Sequence, residues 1–205
     1  MTTTADHSLP PWRFALTLLA QFALIVGVPA QAMLTYFTGE PVILQTAPVD
    51  PYDLLRGYSQ TLNYDISQVT TLEKLPGWDE IQAELDSEEQ DRSQPISIYV
   101  TLGSPETETN AGIPTPWEPV AVGLNPPKDL AIDEVALTGQ LYYGQVTYGL
   151  ERYYMPEDQK DGINDHIADI NRRFPTDPPM VVEVRVRGNQ AVPATLWVGD
   201  RAYRF

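Results

Sequence analysis

The chain has 205 residues, 28 acidic against 13 basic, giving a net charge of −15 and a pI of about 4.3, and it has no cysteine. That length fits one domain plus an anchor. The charge works against binding nucleic acid or anionic lipid surfaces, and the absence of thiols excludes disulfides and thiolate chemistry.

Residues 1–11 are polar and are expected to form a disordered cytoplasmic tail. From Phe14 to Phe37 there are 24 residues without a charge. As a helix they would extend about 36 Å, enough to cross a hydrocarbon core of about 30 Å with some tilt. Trp12 at one end and Tyr36 and Phe37 at the other suit the two interfaces, so a transmembrane helix is predicted over 12–37. Gln21, Pro29 and Gln31 weaken the pattern. A competing reading takes Phe14–Val28 as the apolar part of a signal peptide with Ala30-Gln31-Ala32 as its cleavage site. The apolar stretch continues past Ala32, which favours a retained anchor. Arg13 precedes the segment and no basic residue follows until Arg56. The positive-inside rule then places the N-terminus in the cytoplasm and residues 40–205 in a periplasm or thylakoid lumen.

Beyond the helix the pattern predicts a mainly β (or α+β) domain of about eight strands with one or two short helices. Nineteen prolines and 11 tyrosines agree with strands and loops. Val42-Ile43-Leu44 reads as a first strand. Pro48 and Pro51 then prevent a helix, and Asp50 and Asp53 favour turns. In Thr61–Ile66, Leu62, Tyr64 and Ile66 alternate with polar residues, the period of a half-buried strand. Residues 73–91 are strongly acidic, and Trp78, Ile81 and Leu85 share the spacing of a short amphipathic helix. Ile96–Leu102 alternates as a strand. Residues 103–116 read as a loop. Trp117–Leu124 reads as a strand that Pro119 assigns to an edge or a strand start.

Glu134–Tyr154 is β-prone and is divided by Gly139, Gly144 and Gly149 into two strands, the second carrying Val146–Leu150. Ile163, Ile167, Ile170 and Phe174 lie on one face of a helix that Pro175 stops. Met180–Arg187 places Val182, Val184 and Val186 on one face and Glu183, Arg185 and Arg187 on the other. Gly188-Asn189 supplies a turn. Ala191–Trp197 and Ala202–Phe205 complete the strands.

Two blocks carry a resemblance. The first is Asp50–Ile66, in which Gly57, Leu62 and Tyr64 match G-D-Y-x-x-L-x-Y at the required spacing, while Tyr58 and Ser59 stand where that signature has Asp and Tyr. The second is Tyr148-Gly149-Leu150-Glu151-Arg152-Tyr153-Tyr154-Met155-Pro156-Glu157. Together they resemble the GDYXXLXY family of envelope proteins, whose biochemical role is unknown, from about residue 12 to the C-terminus. The resemblance implies association with multi-spanning membrane proteins.

The catalytic inventory is sparse. His7 lies in the leader, and His166 beside the apolar stripe of the helix reads as a structural histidine. No nucleophile-elbow pattern frames a serine. An anchor followed by an RG-containing strand resembles signal peptidases, but the serine pattern expected just after such an anchor is absent, and only Lys74, Lys128 and Lys160 offer an amine. Asp158, Asp161 and Asp165 lack calcium-loop spacing, and zinc has too few ligands. No catalytic residue, metal or cofactor is therefore assigned.

The candidate binding residues are Asp53, Arg56, Tyr64, Tyr148, Glu151 and Arg152, a small polar site where the two blocks meet. Arg56 is expected to pair with Glu151, either fixing loop geometry or receiving a carboxylate. The function expected is that of a membrane-anchored, non-enzymatic accessory or interaction protein. Its partner would be a multi-spanning membrane protein or another envelope protein, not a nucleic acid. The alternative is a membrane-tethered hydrolase using carboxylates or a Ser/Lys pair.

Overall fold

The computed structural model describes residues 11–46, 59–87, 93–106, 109–110, 112–154, 157–175 and 178–204. In chain order the elements are α1 (Pro11–Thr38), β1 (Glu40–Gln45), β2 (Ser59–Thr61), a 3-10 turn (Asp65–Ser67), α2 (Val69–Leu72) and α3 (Trp78–Leu85). Then follow β3 (Ile96–Gly103), β4 (Thr109–Asn110), β5 (Ile113–Pro114), β6 (Glu118–Gly123), β7 (Glu134–Tyr142) and β8 (Gln145–Thr147). The last are β9 (Arg152–Tyr154), α4 (Lys160–Arg173), β10 (Met180–Arg187), β11 (Gln190–Val198) and β12 (Arg201–Arg204).

The architecture is mainly β. Two antiparallel sheets of four strands, ordered β1-β10-β11-β12 and β6-β3-β7-β8, carry the domain, with two-stranded ribbons β2-β9 and β4-β5 beside them. Alternation explains the core. Val182, Val184 and Val186 of β10 are buried, as are Ile98, Val100 and Leu102 of β3, and these sets belong to one continuous apolar cluster. Each such side chain contributes about 1.5–3 kcal/mol on burial. On the other face of β10, Glu183 and Arg185 form an ion pair at 2.8 Å.

Prolines mark the irregular points of both sheets. Pro119 lies in β6, an edge strand as predicted, and the pairing with β3 slips there: Leu102 faces Pro119 while Thr101 faces Ala121. Pro193 lies in β11, an inner strand. There the register with β10 shifts between Glu183 and Val184, so a bulge accommodates the missing N–H.

Four local expectations need correction. Glu134–Tyr154 holds three strands rather than two: β7 runs through Gly139, β8 ends at Thr147 short of Leu150, and β9 begins at Arg152, because the turn at Gly149 breaks the run. Residues 103–116 are not all loop, because β4 and β5 form a short ribbon within them. The strand predicted over Thr61–Ile66 ends at Thr61. Tyr64 keeps one isolated bridge to Thr46, and the Ser67 N–H then turns back to the Tyr64 carbonyl at 2.9 Å. Leu62, Tyr64 and Ile66 are nonetheless all buried, as their alternation predicted. Finally, Phe174 is not on the apolar stripe of α4. It leaves the helix at φ −129°, ψ 71° and is 47% exposed, because the following Pro175 disfavours helical backbone.

Helix α1 is unlike the rest. Its described apolar side chains are exposed, Leu18, Leu24 and Ile25 among them, while the polar Thr35 is buried. Its end is nevertheless fixed to the first sheet. Only Gly39 separates α1 from β1, and the Gly39 N–H bonds to the Thr35 carbonyl at 2.8 Å. Thr35 is 1% exposed, and its hydroxyl donates to Gln190 Oε1 at 3.1 Å. A methyl at Gly39 would come within 3.0 Å of the Val186 backbone, so glycine permits this close approach.

Candidate functional site

The two blocks singled out in the sequence meet in space. β2 and β9 pair antiparallel, with Thr61 opposite Arg152, Gln60 opposite Tyr153 and Ser59 opposite Tyr154. The Leu62 N–H extends this ribbon by donating to the Glu151 carbonyl at 2.7 Å. The signature residues Leu62 and Tyr64 are thereby drawn into the core, 4% and 0% exposed.

Two tyrosines then lock the blocks reciprocally. The Tyr64 hydroxyl donates to the Leu150 carbonyl at 2.8 Å, and the Tyr148 hydroxyl donates to the Ile66 carbonyl at 2.7 Å. Each phenol belongs to one block and satisfies a backbone oxygen of the other, so neither strand end leaves these carbonyls unpaired. Both phenols resist ionisation strongly. Burial is the larger cause, and the charge of the nearby Glu151 carboxylate adds to it.

Glu151 acts locally. Its carboxylate accepts the Tyr148 backbone N–H, closing the turn around Gly149. Gly139, in β7, completes the seat. A methyl there would overlap the side chain of Val146 and the ring of Tyr148. At the other end, the bridge from Tyr64 reaches Thr46, whose N–H and hydroxyl both donate to the Met180 carbonyl, at 3.2 and 2.8 Å. The knot therefore ties the β1–β10 edge of the first sheet to the segment leaving β8 of the second.

Of the six residues predicted for the site, Tyr64, Tyr148, Glu151 and Arg152 are brought together. Asp53 and Arg56 lie outside the described residues, and with them the Arg56–Glu151 pair. Sequence reasoning missed Gly139, Leu150 and Ile66. Gly139 had been read as a strand divider, whereas it lies inside β7; the other two contribute backbone oxygens, which no side-chain pattern reveals. Arg152 and Tyr154 on β9 are exposed and give the knot its outward face.

The remaining candidates are dispersed. His166 is half-buried on α4 and lies 2.7 Å from the Tyr203 hydroxyl of β12, a helix-to-sheet contact. Among the described residues, no group of three or more acidic or histidine side chains is arranged to hold a metal ion.

Comparison with curated proteins and with solved structures finds no match. A family model does match, over residues 21–196, from the middle of α1 to within β11 and so across both blocks of the knot. The match covers most of the chain, Leu62 and Tyr64 included, and the chain belongs to the family described as GDYXXLXY protein.

Proposed function

We propose that this protein is a single-pass envelope protein that works by binding, with its β domain outside the cytoplasm and the β2–β9 knot presenting the surface a membrane-protein partner meets. One observation carries the reading. Phe14–Thr38 is long and apolar enough to cross a membrane, and its most apolar window buries nothing against the domain. Such a surface is stable only against lipid or another apolar partner.

The chemistry of the knot supports binding over catalysis. Its phenols are neutral and committed to carbonyls, and the Glu151 carboxylate holds a backbone N–H. A buried, satisfied network gives rigidity to a neighbouring surface, here Arg152 and Tyr154. Arg and Tyr are favoured at interface centres.

The test has two parts. Alkaline washing of membranes should leave the chain in the pellet with its N-terminus intact; a mature chain beginning at Met33 would refute the anchor. A photo-crosslinking residue at Tyr154 should then capture a multi-spanning membrane protein in intact membranes. Equal capture from a crosslinker at Tyr143, on the β7–β8 turn, would show that the knot is not the binding face.

A further inference from the structure

We propose that the domain seats directly on the bilayer through a collar beside α1, made of the β10–β11 hairpin tip and the loop of residues 126–132, with Leu130 and Ile132 entering the lipid interface. The inference rests on the reading that α1 spans the membrane.

The hairpin sets the level. It meets the last turn of α1: Val186 lies against Gly39, and Gln190 reaches back to Thr35, one helical turn before that junction. With a rise of about 1.5 Å per residue, the contact lies about 6 Å back along the helix from that junction. The adjoining Tyr36 and Phe37 are the aromatic side chains suited to a headgroup layer, and both are exposed. A hairpin that contacts the helix at this level reaches the interface itself.

The loop lies beside the hairpin. Pro126, Pro127 and Leu130 share one groove with Gly188, Asn189 and Glu40, the first residue of β1. Ile132 borders a second groove that again includes Glu40. Both grooves thus open next to the foot of α1. Ile132 is 100% exposed and Leu130 is 42% exposed. An isoleucine wholly in water loses the favourable transfer of its side chain to an apolar medium.

Charge agrees only locally. Lys128 and Arg187 are exposed on the two collar segments, whereas Asp129, Asp133 and Glu40 oppose them, and the whole chain carries −15. Apolar insertion into a zwitterionic interface therefore drives seating, and the two cations meet lipid phosphates without a net basic patch.

The chain has no cysteine, so single labels are introduced cleanly. Nitroxides are attached to Ile132→Cys, Leu130→Cys, Leu24→Cys and Tyr143→Cys in the full chain, reconstituted in phosphatidylcholine nanodiscs. Collision with oxygen is compared with collision with a water-soluble nickel chelate. The Leu24 position should be deep in lipid and Tyr143 aqueous. The Ile132 and Leu130 positions should shift from the Tyr143 value toward the Leu24 value. If both remain as aqueous as Tyr143 while Leu24 is deep, the collar is wrong and the anchor stands. If Leu24 itself is aqueous, the anchor reading fails and the collar with it.

Discussion

Tyr64 shows how one side chain can hold two distant segments. Tyr64→Phe keeps the ring in the core but removes the donor to Leu150, whose residue is fully buried. An orphaned buried carbonyl costs about 1–3 kcal/mol, and the urea midpoint should fall accordingly. The same argument applies to Tyr148→Phe and Ile66. The pH dependence follows from the same burial. An unfolded tyrosine ionises near the ordinary phenol value of 10.0, whereas the folded phenols of Tyr64 and Tyr148 keep their protons well above it. Their contribution to stability is fully present below pH 10 and is lost as pH rises further, because the unfolded chain then releases protons that the folded chain retains. Each Phe variant should show a shallower loss of stability above pH 10 than the parent. A parent whose Tyr64 and Tyr148 both ionise near pH 10 while still folded would contradict the burial.

Between elements, the tightest constraint on the knot comes from β7. Gly139→Ala places a methyl against Val146 and the ring of Tyr148, and overpacking of this kind costs about 1–3 kcal/mol. Combining it with Val146→Ala should recover part of the loss in thermal melting, since the second change opens space at the clash. Strictly additive losses would mean the two residues do not compete for that space. At this scale much was legible in the sequence. Period-2 runs identified β3 and β10, Pro119 marked an edge strand, and the 3.6 period of Ile163, Ile167 and Ile170 identified α4. What was not legible depended on tertiary partners. Tyr64 keeps extended backbone but makes only a single bridge, to Thr46, a residue 18 positions earlier in the sequence, and the Tyr64 and Tyr148 hydroxyls seek carbonyls rather than side chains. The meeting of the two blocks was foreseeable because both carried glycine, aromatics and charge; the hydrogen bonds that make it were not.

As a whole, the molecule carries −15, all of it after residue 39, and this excess opposes the compact state by self-repulsion. Raising sodium chloride from about 10 mM to about 150 mM shortens the Debye length from about 30 Å to about 8 Å. The melting temperature should therefore rise over that range, and a flat response would show that the acidic groups are too dispersed to matter. The joint between helix and sheet has a different consequence at this scale. A single glycine links α1 to β1, and Thr35 with Gln190 braces the link from the side, which makes the connection a weld rather than a hinge. Transmembrane helices lean by about 20° on average, and by more where the bilayer is thin. On the proposed reading that α1 spans the membrane, the domain welded to it leans with it, like the pointer of a gauge whose spindle is the membrane. Bilayer thickness would then set the attitude at which the far side of the domain is offered to its surroundings.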